Sequence, residues 1–345
     1  MVASTLKPSM NILLRVQTKI AMGKVIRIGT RESQLAVWQA TQVQQLLLQY
    51  NFPSELVYIK SEGDIDLQTP LYEMGVQGIF TKSLDIALLN NKIDIAVHSM
   101  KDVPTQLAKG IVQAAVLKRA SYKDLLVYKE SSMVNGQWSM INEDPLKFER
   151  QFNIHHSPFT IATSSIRRKA QWLHRFQGHT IENLRGNVNT RLQKVGKSNW
   201  HGAIFAAAGL ERIGLRPENS IELDWMLPAP AQGAIMVVCR EADEFCIQAC
   251  STMHDAVTAI CTKAERDFLR TLLGGCSTPI SALGQIKDGV MHFRGNIFSL
   301  DGKQKVEVET SCPVENAGDV GISAANDLLN NGGAAIANSI RNAAK

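Results

Sequence analysis

Strands and helices that alternate in the same order twice predict an α/β protein of two similar halves with mostly parallel sheets, followed by a small α+β C-terminal domain. Three observations carry this reading. Lys24 to Thr30 is strand-like, and after Ser33 the residues Ala36, Ala40, Val43 and Leu47 recur at helical spacing. Phe159 to Ser165 repeats that order, ending in Thr163-Ser164-Ser165 before a helical run through Arg168, Gln171 and Trp172. After Asp255 the pattern changes to one helix and then strand-like runs separated by Asp-Gly pairs.

In chain order, Thr30 and Ser33 are candidate N-caps for the first helix. Thr81 to Leu89 reads as a helix and Ile93 to Val97 as a strand. Asn189 to Val195 and Ala203 to Ala207 give the matching pair in the second half. Val257, Ile260, Cys261, Ala264, Phe268 and Leu272 mark the helix of the third domain. Strands Ile280 to Ile286, Val290 to Phe298 and Lys305 to Thr310 follow, parted by Asp288-Gly289 and Asp301-Gly302, strong hairpin signals. Ser131 to Ser157 has no clean period and reads as a surface insertion, with His155 and His156 as solvated loop residues rather than metal ligands.

A chain of 345 residues is too long for one ordinary core and fits two or three domains. The net charge of +5 comes without a dense basic block or interleaved aromatics, which favours a small acidic ligand over nucleic acid. Six cysteines show neither zinc-type pairing nor the density of a disulfide scaffold, so the compartment reads as reducing and cytoplasmic. Cys246 and Cys250 read as small buried hydrophobes on a helix. Met1 to Gly23 carries Lys7, Arg15 and Lys19 and no acid, and reads as a disordered or extra N-terminal extension. The alternative is a transit peptide for an organelle. No run approaches the ~20 apolar residues of a membrane span.

Ligand sites in open α/β sheets lie beyond the carboxyl ends of the strands, and the chemistry-bearing residues gather there. Arg31 and Ser33 follow the first strand, Lys101 and Asp102 follow Val97, Ser164 and Arg167 follow Ala162, and Arg212 lies past Ala207. With Arg168, Arg185 and Arg191 they form an arginine series whose planar forks suit a ligand bearing several carboxylates. Arg185-Gly186-Asn187 adds backbone donors to those guanidiniums. Asp102, in a loop stiffened by Pro104, is either a capping aspartate or a carboxylate set to stabilise a developing cation. Cys276, behind Gly274-Gly275, is either a transient nucleophile or a covalent anchor.

Five ordered motifs strongly resemble the porphobilinogen deaminase (hydroxymethylbilane synthase) family. They are Gly29-Thr30-Arg31-Glu32-Ser33, His98 to Pro104, Thr163 to Arg168, Leu184 to Arg191, and Gly274-Gly275-Cys276. The resemblance runs from about Val25 to the C-terminus. It implies two domains like periplasmic solute-binding proteins and a third that bears a cofactor. The boundaries expected are 24–118 with 231–253, 119–230, and 254–345, because Ala231 to Arg240 resembles a segment that returns to the first domain.

The resemblance further implies a dipyrromethane cofactor held through a thioether at Cys276, with Asp102 as the catalytic carboxylate. Four porphobilinogen molecules would condense in turn with loss of ammonia, and hydrolysis would release hydroxymethylbilane. Arg31, Ser33, Lys101, Ser165, Arg167, Arg168, Arg185, Arg191, Arg119 and Arg212 match positions that bind cofactor or substrate carboxylates. No metal, nucleic acid or membrane is implied, and the chain is expected to be a monomer. Gln77, Val76 and Leu273 depart from residues frequent in the family. The chief rival is a solute-binding or sensor module, which would have no use for a loaded thiol. A thiol-dependent acyl transferase pairing Cys276 with His98 or His292 lacks a supporting signature.

Overall fold

A computed structural model describes residues 24–60, 81–129, 158–272 and 278–343. The N-terminal extension, Val76 and Gln77, the 131–157 insertion with its histidines, and Leu273 to Ser277 with Cys276 lie outside the described residues.

The first sheet has the order β2-β1-β3-β10-β4. It comprises β1 (Ile26–Thr30), β2 (Ser54–Tyr58), β3 (Ile95–Ser99), β4 (Ile111–Val116) and, much later in the chain, β10 (Ile235–Arg240). The second has the order β7-β6-β8-β5-β9, from β5 (Asp124–Tyr128), β6 (Thr160–Ala162), β7 (Thr180–Glu182), β8 (Gly202–Ala206) and β9 (Ser220–Glu222). The two orders are the same pattern, so the duplicated halves are present. The sheets are mixed rather than mostly parallel: β1 pairs β2 and β3 in parallel, while β10 runs antiparallel to both β3 and β4. In the second sheet β5 plays the part of β10, antiparallel to β8 and β9. The physical reason is connectivity. The strand that completes each sheet arrives directly from the other half and enters against the direction of the strands laid down by helical crossovers.

Both faces of the first sheet are covered, which is why its strands read as continuous apolar runs. Ile235, Val237 and Cys239 of β10 face one cluster with α1 (Gln34–Gln49), and Met236 and Val238 face the other with α2 (Lys82–Leu89). Each such side chain contributes about 1.5 to 3 kcal/mol by leaving water. On α1, Ala36, Ala40, Val43 and Leu47 form the buried stripe, and Ser33 is its N-cap, accepting from the Ala36 N–H. Thr30, the other candidate cap, ends β1 instead. Cys246 and Cys250, on α6 (Glu244–Ser251), are buried in the same core, and burial pushes the Cys246 thiol up to about 12. In the second half, α3 (Ile166–Arg175) and α4 (Val188–Lys197) flank the sheet, and α5 (Ala207–Glu211) follows β8.

The third domain packs α7 (Ala256–Leu272), α8 (Val320–Leu328) and α9 (Ala334–Ala343) on an antiparallel sheet of β11 (Ile280–Lys287), β12 (Val290–Phe298) and β13 (Lys305–Pro313). Asp288 and Gly289 both take positive φ, 50° and 75°, the tight turn that an Asp-Gly pair permits. Phe268 and Phe293, 5.4 Å apart between ring centroids, centre the core.

Two crossing segments join the halves and touch each other. The Ala120 N–H donates to the Gly233 carbonyl, and a Cβ at Gly233 would lie 2.7 Å from the Ser121 carbonyl oxygen. Gly233 has φ of 87°, so close approach and backbone conformation both require glycine there. The third domain grips both halves. Gln171 of α3 donates to Ser281 of β11 at 3.1 Å, and His174 sits 2.8 Å from the Gly302 carbonyl. On the other side, Arg266 of α7 donates to the Val103 carbonyl of the first half at 2.9 Å, and Arg119 of the crossing segment meets Glu265.

Candidate functional site

The ends of β1, β3, β6 and β8 point toward one cleft between the two halves, as strand carboxyl ends in open sheets do. Two contacts bridge it. The Asn189 amide donates to Gln34 Oε1 at 2.9 Å, and the Arg212 guanidinium lies 5.7 Å over the Trp38 ring.

From the first half come Arg31, Ser33, His98, Lys101 and Asp102. Lys101 and Asp102 sit in a 3-10 turn, Met100–Asp102, anchored by the buried Met100 and by its N–H donating to the Ala234 carbonyl. Burial lowers the Lys101 ammonium to about 8. Asp102 and Asp124 pull it back up, and Arg168 and Arg167 push it down. Its Nζ donates to Gln232 Oε1 at 3.2 Å. His98 is buried, and burial with the Arg31 charge pushes it down to about 3, so it is a neutral imidazole.

From the second half come Ser165, Arg167, Arg168, Arg185, Arg191 and Arg212. Ser165 is the N-cap of α3, its hydroxyl accepting from the Arg168 N–H at 3.4 Å. A capping hydroxyl accepts through oxygen and retains its proton to donate outward, so the expected ligand role of Ser33 and Ser165 coexists with capping. Arg185 is buried, and the turn after it needs Gly186 at φ 112° before Asn187 caps α4. Burial and the Arg168 charge lower Arg191 to about 10, partly offset by Asp102. Asp102 and Arg191 therefore feel each other across the cleft. Burial also brings Arg212 to about 10, and Arg212 donates to the Gly233 carbonyl of the crossing segment at 2.7 Å.

Asp124 is a residue that sequence pattern does not single out. It is fully buried at the start of β5, with Arg168 Nη2 at 2.7 Å and Arg167 Nη1 at 3.0 Å. Burial alone would raise its carboxyl, but the two guanidiniums and Lys101 outweigh burial and hold it well below the carboxylate range. Gln232 donates to the same carboxylate at 2.8 Å. One amide thus joins Lys101 of the first half to Asp124 of the second. The visible signal was an acid opening the apolar run Asp124 to Tyr128.

Arg119 stands differently from the other arginines. Its two terminal nitrogens donate to the two oxygens of Glu265 at 2.6 and 3.0 Å, and its Nε donates to the Gln232 carbonyl. Its fork is occupied by Glu265 at the domain junction.

Further buried polar atoms of these residues lack a partner among those described. The Nε atoms of Arg168 and Arg191 and Nε2 of His98 are buried with no hydrogen-bond partner among the described residues. Buried polar atoms are almost always satisfied, and orphaned guanidinium N–H groups are matched best by carboxylate oxygens. A polycarboxylate pyrrole chain fits that donor set. Among the described residues no cluster of His, Cys, Asp and Glu is suited to a metal, and no helix is long and apolar enough to cross a membrane.

Two α/β lobes of matching sheet order around a cleft lined by buried cations, with a third small domain packed on them, define a two-lobed, three-domain α/β protein. Residues 26–248 match the family model described as porphobilinogen deaminase, dipyromethane cofactor binding domain, and residues 259–330 match porphobilinogen deaminase, C-terminal domain. The chain belongs to the porphobilinogen deaminase family, enzymes of tetrapyrrole synthesis. It is 38% identical over 311 residues to the porphobilinogen deaminase of Syntrophotalea carbinolica, covering 89% of this chain and 93% of that one. It is 36% identical over 329 residues to that of Chlorobium phaeobacteroides, covering 93% and 99%. Among solved structures, the BvgS VFT2 domain of Bordetella pertussis aligns at a TM-score of 0.39 and 10% identity, over 69% of this chain and 90% of that one.

Proposed function

We propose that this chain is a transferase that condenses four porphobilinogen molecules, with loss of ammonia, and releases hydroxymethylbilane. The observation that carries the reading is that Nε of Arg168 and of Arg191 are buried with no hydrogen-bond partner among the described residues, while Arg191 interacts electrostatically with Asp102. A dipyrromethane cofactor, when bound through Cys276, supplies the pyrrole nucleophile on which the chain grows.

The protein's own groups do the rest. Arg31, Arg168, Arg185, Arg191 and Arg212, with Lys101 and the capped Ser33 and Ser165, hold acetate and propionate carboxylates and fix ring positions. Asp124 keeps Arg167 and Arg168 extended before a ligand arrives. That makes their orientation a property of the protein, and electrostatic stabilisation is strongest when it is so arranged in advance. Asp102 places one negative charge against the positive charge that develops as the amino group leaves. At ~4 Å and an effective dielectric of ~20, one such charge is worth about 4 kcal/mol. The domains follow as 24–118 with 231–253, 119–230, and 254–345, acting as a monomer in the cytoplasm.

Intact mass under denaturing conditions tests the reading, wild type beside Cys276→Ser. A wild-type excess equal to two condensed porphobilinogen units, lost in the variant, supports it. Sequence mass for both proteins after incubation with porphobilinogen would favour a non-catalytic anion-binding module. Asp102→Asn is expected to keep that adduct while slowing turnover at least about 100-fold.

A further inference from the structure

We infer that Arg266, on α7 of the third domain, is a positioning residue for the Asp102 turn; this rests on the reading of Asp102 as the catalytic carboxylate. Arg266 Nη1 donates to the carbonyl oxygens of Val103 at 2.9 Å and Met100 at 3.4 Å, and Nη2 donates to that of Pro104 at 2.5 Å. These carbonyls bracket Asp102. The Met100 carbonyl also accepts the Val103 N–H at 3.2 Å, the bond that closes the turn. One planar guanidinium therefore caps the exit of the turn, just as a basic side chain caps the last carbonyls of a helix.

Packing shares this work: Met100 and Val103 are buried in a core cluster that Ala259 of α7 also joins. A cavity of about 300 Å³ opens beside Arg266, lined also by Met100, Thr105, His254 and Lys263. Across that space the hydrogen bonds of Arg266 span from the third domain to the turn. The entry of the turn is tied within the first half, through the Met100 N–H to the Ala234 carbonyl. The two ends of a three-residue turn are thus held by different domains, and the angle at which Asp102 enters the cleft depends on where α7 stands. The same helix ends at Leu272, just before the Cys276 segment in the chain.

The test is a double-mutant cycle of Arg266→Met and Asp102→Asn on the cofactor-loaded enzyme, read as single-turnover rate, KM and amide exchange at Val103. A misplaced reacting group costs up to about 100-fold in rate. Arg266→Met is expected to lower kcat about 10- to 100-fold with KM within about 3-fold. Exchange at Val103 should speed up, and adding Arg266→Met to Asp102→Asn should change nothing further. Arg266→Lys, which keeps the cation but not the fork, should restore part of the rate and carries the same cycle if the methionine variant does not fold. A wild-type rate in Arg266→Met, or an equal fold-loss in both backgrounds, would overturn the inference. A wild-type rate in Asp102→Asn alone would remove Asp102 from the chemistry and the inference with it, a result visible without any change at Arg266.

Discussion

Glu265 ties α7 to both crossing segments and to β11, and replacing it with glutamine gives a worked prediction. It is 0% exposed and accepts four hydrogen bonds: two from Arg119, one from the Ala231 N–H at 2.6 Å and one from the Gly284 N–H at 2.8 Å. Those donors belong to both crossing segments and to β11, so one side chain of α7 ties three parts of the fold. Glu265→Gln keeps the shape but leaves Arg119 buried without its counter-charge, which costs about 3 to 5 kcal/mol. With an unfolding entropy of about 2.1 cal/mol/K per residue, the whole chain has about 0.7 kcal/mol/K, so the melting temperature should fall about 4 to 7 °C. Calorimetry on Glu265→Gln, Arg119→Met and the double variant measures it. Removing both charges avoids the lone buried ion, so the double variant should lose at least about 2 kcal/mol less than the sum of the singles. Single losses under about 0.5 kcal/mol, or strict additivity, would refute the view that this pair fastens the domains.

Lys101, lowered to about 8 by burial, is a cation below that pH and neutral above it. The value of kcat/KM should therefore fall as pH rises through about 8, and a profile for Lys101→Met should lack that inflection. His98, held at about 3 by burial, takes up no proton in the folded chain where an unfolded histidine does. Stability should accordingly drop by about 1.4 kcal/mol per pH unit as pH falls below about 6.5. Asp85, raised to about 6 by burial, acts in the opposite sense at acid pH, so the quantity to measure by urea unfolding is the difference between wild type and His98→Gln. A difference that does not vary with pH would contradict the neutral imidazole. Gly321→Ala would set a Cβ 2.0 Å from the Ala264 carbonyl oxygen and force α8 off α7. A loss of about 1 to 3 kcal/mol in denaturant unfolding is expected, and a neutral substitution would contradict the contact.

Local chemistry made much of the protein legible before any coordinates. The helical spacing of Ala36, Ala40, Val43 and Leu47 gave the buried face of α1. The Asp288-Gly289 pair gave a hairpin turn with both residues at positive φ. Such features depend on neighbours a few residues apart, and so do the positions of Arg31, Lys101, Asp102 and Arg167 at strand ends. Cys276 was marked by its diglycine and its motif, and lies outside the described residues.

Residues whose meaning comes from partners far along the chain were not legible. Arg119 and Glu265 are 146 positions apart, and Lys101 and Gln232 are 131 apart. In sequence Arg119 is one more arginine suited to carboxylates, and only the fold shows that the carboxylate it holds is the protein's own. Mixed strand direction was hidden for the same reason, since β10 shows its apolar alternation locally but not which strand it lies against. Pattern and propensity thus determined the elements, the halves and the chemistry gathered at the strand ends. Tertiary structure decided which charges oppose one another, because burial and counter-charge are properties of a packed cleft that no short stretch of chain contains.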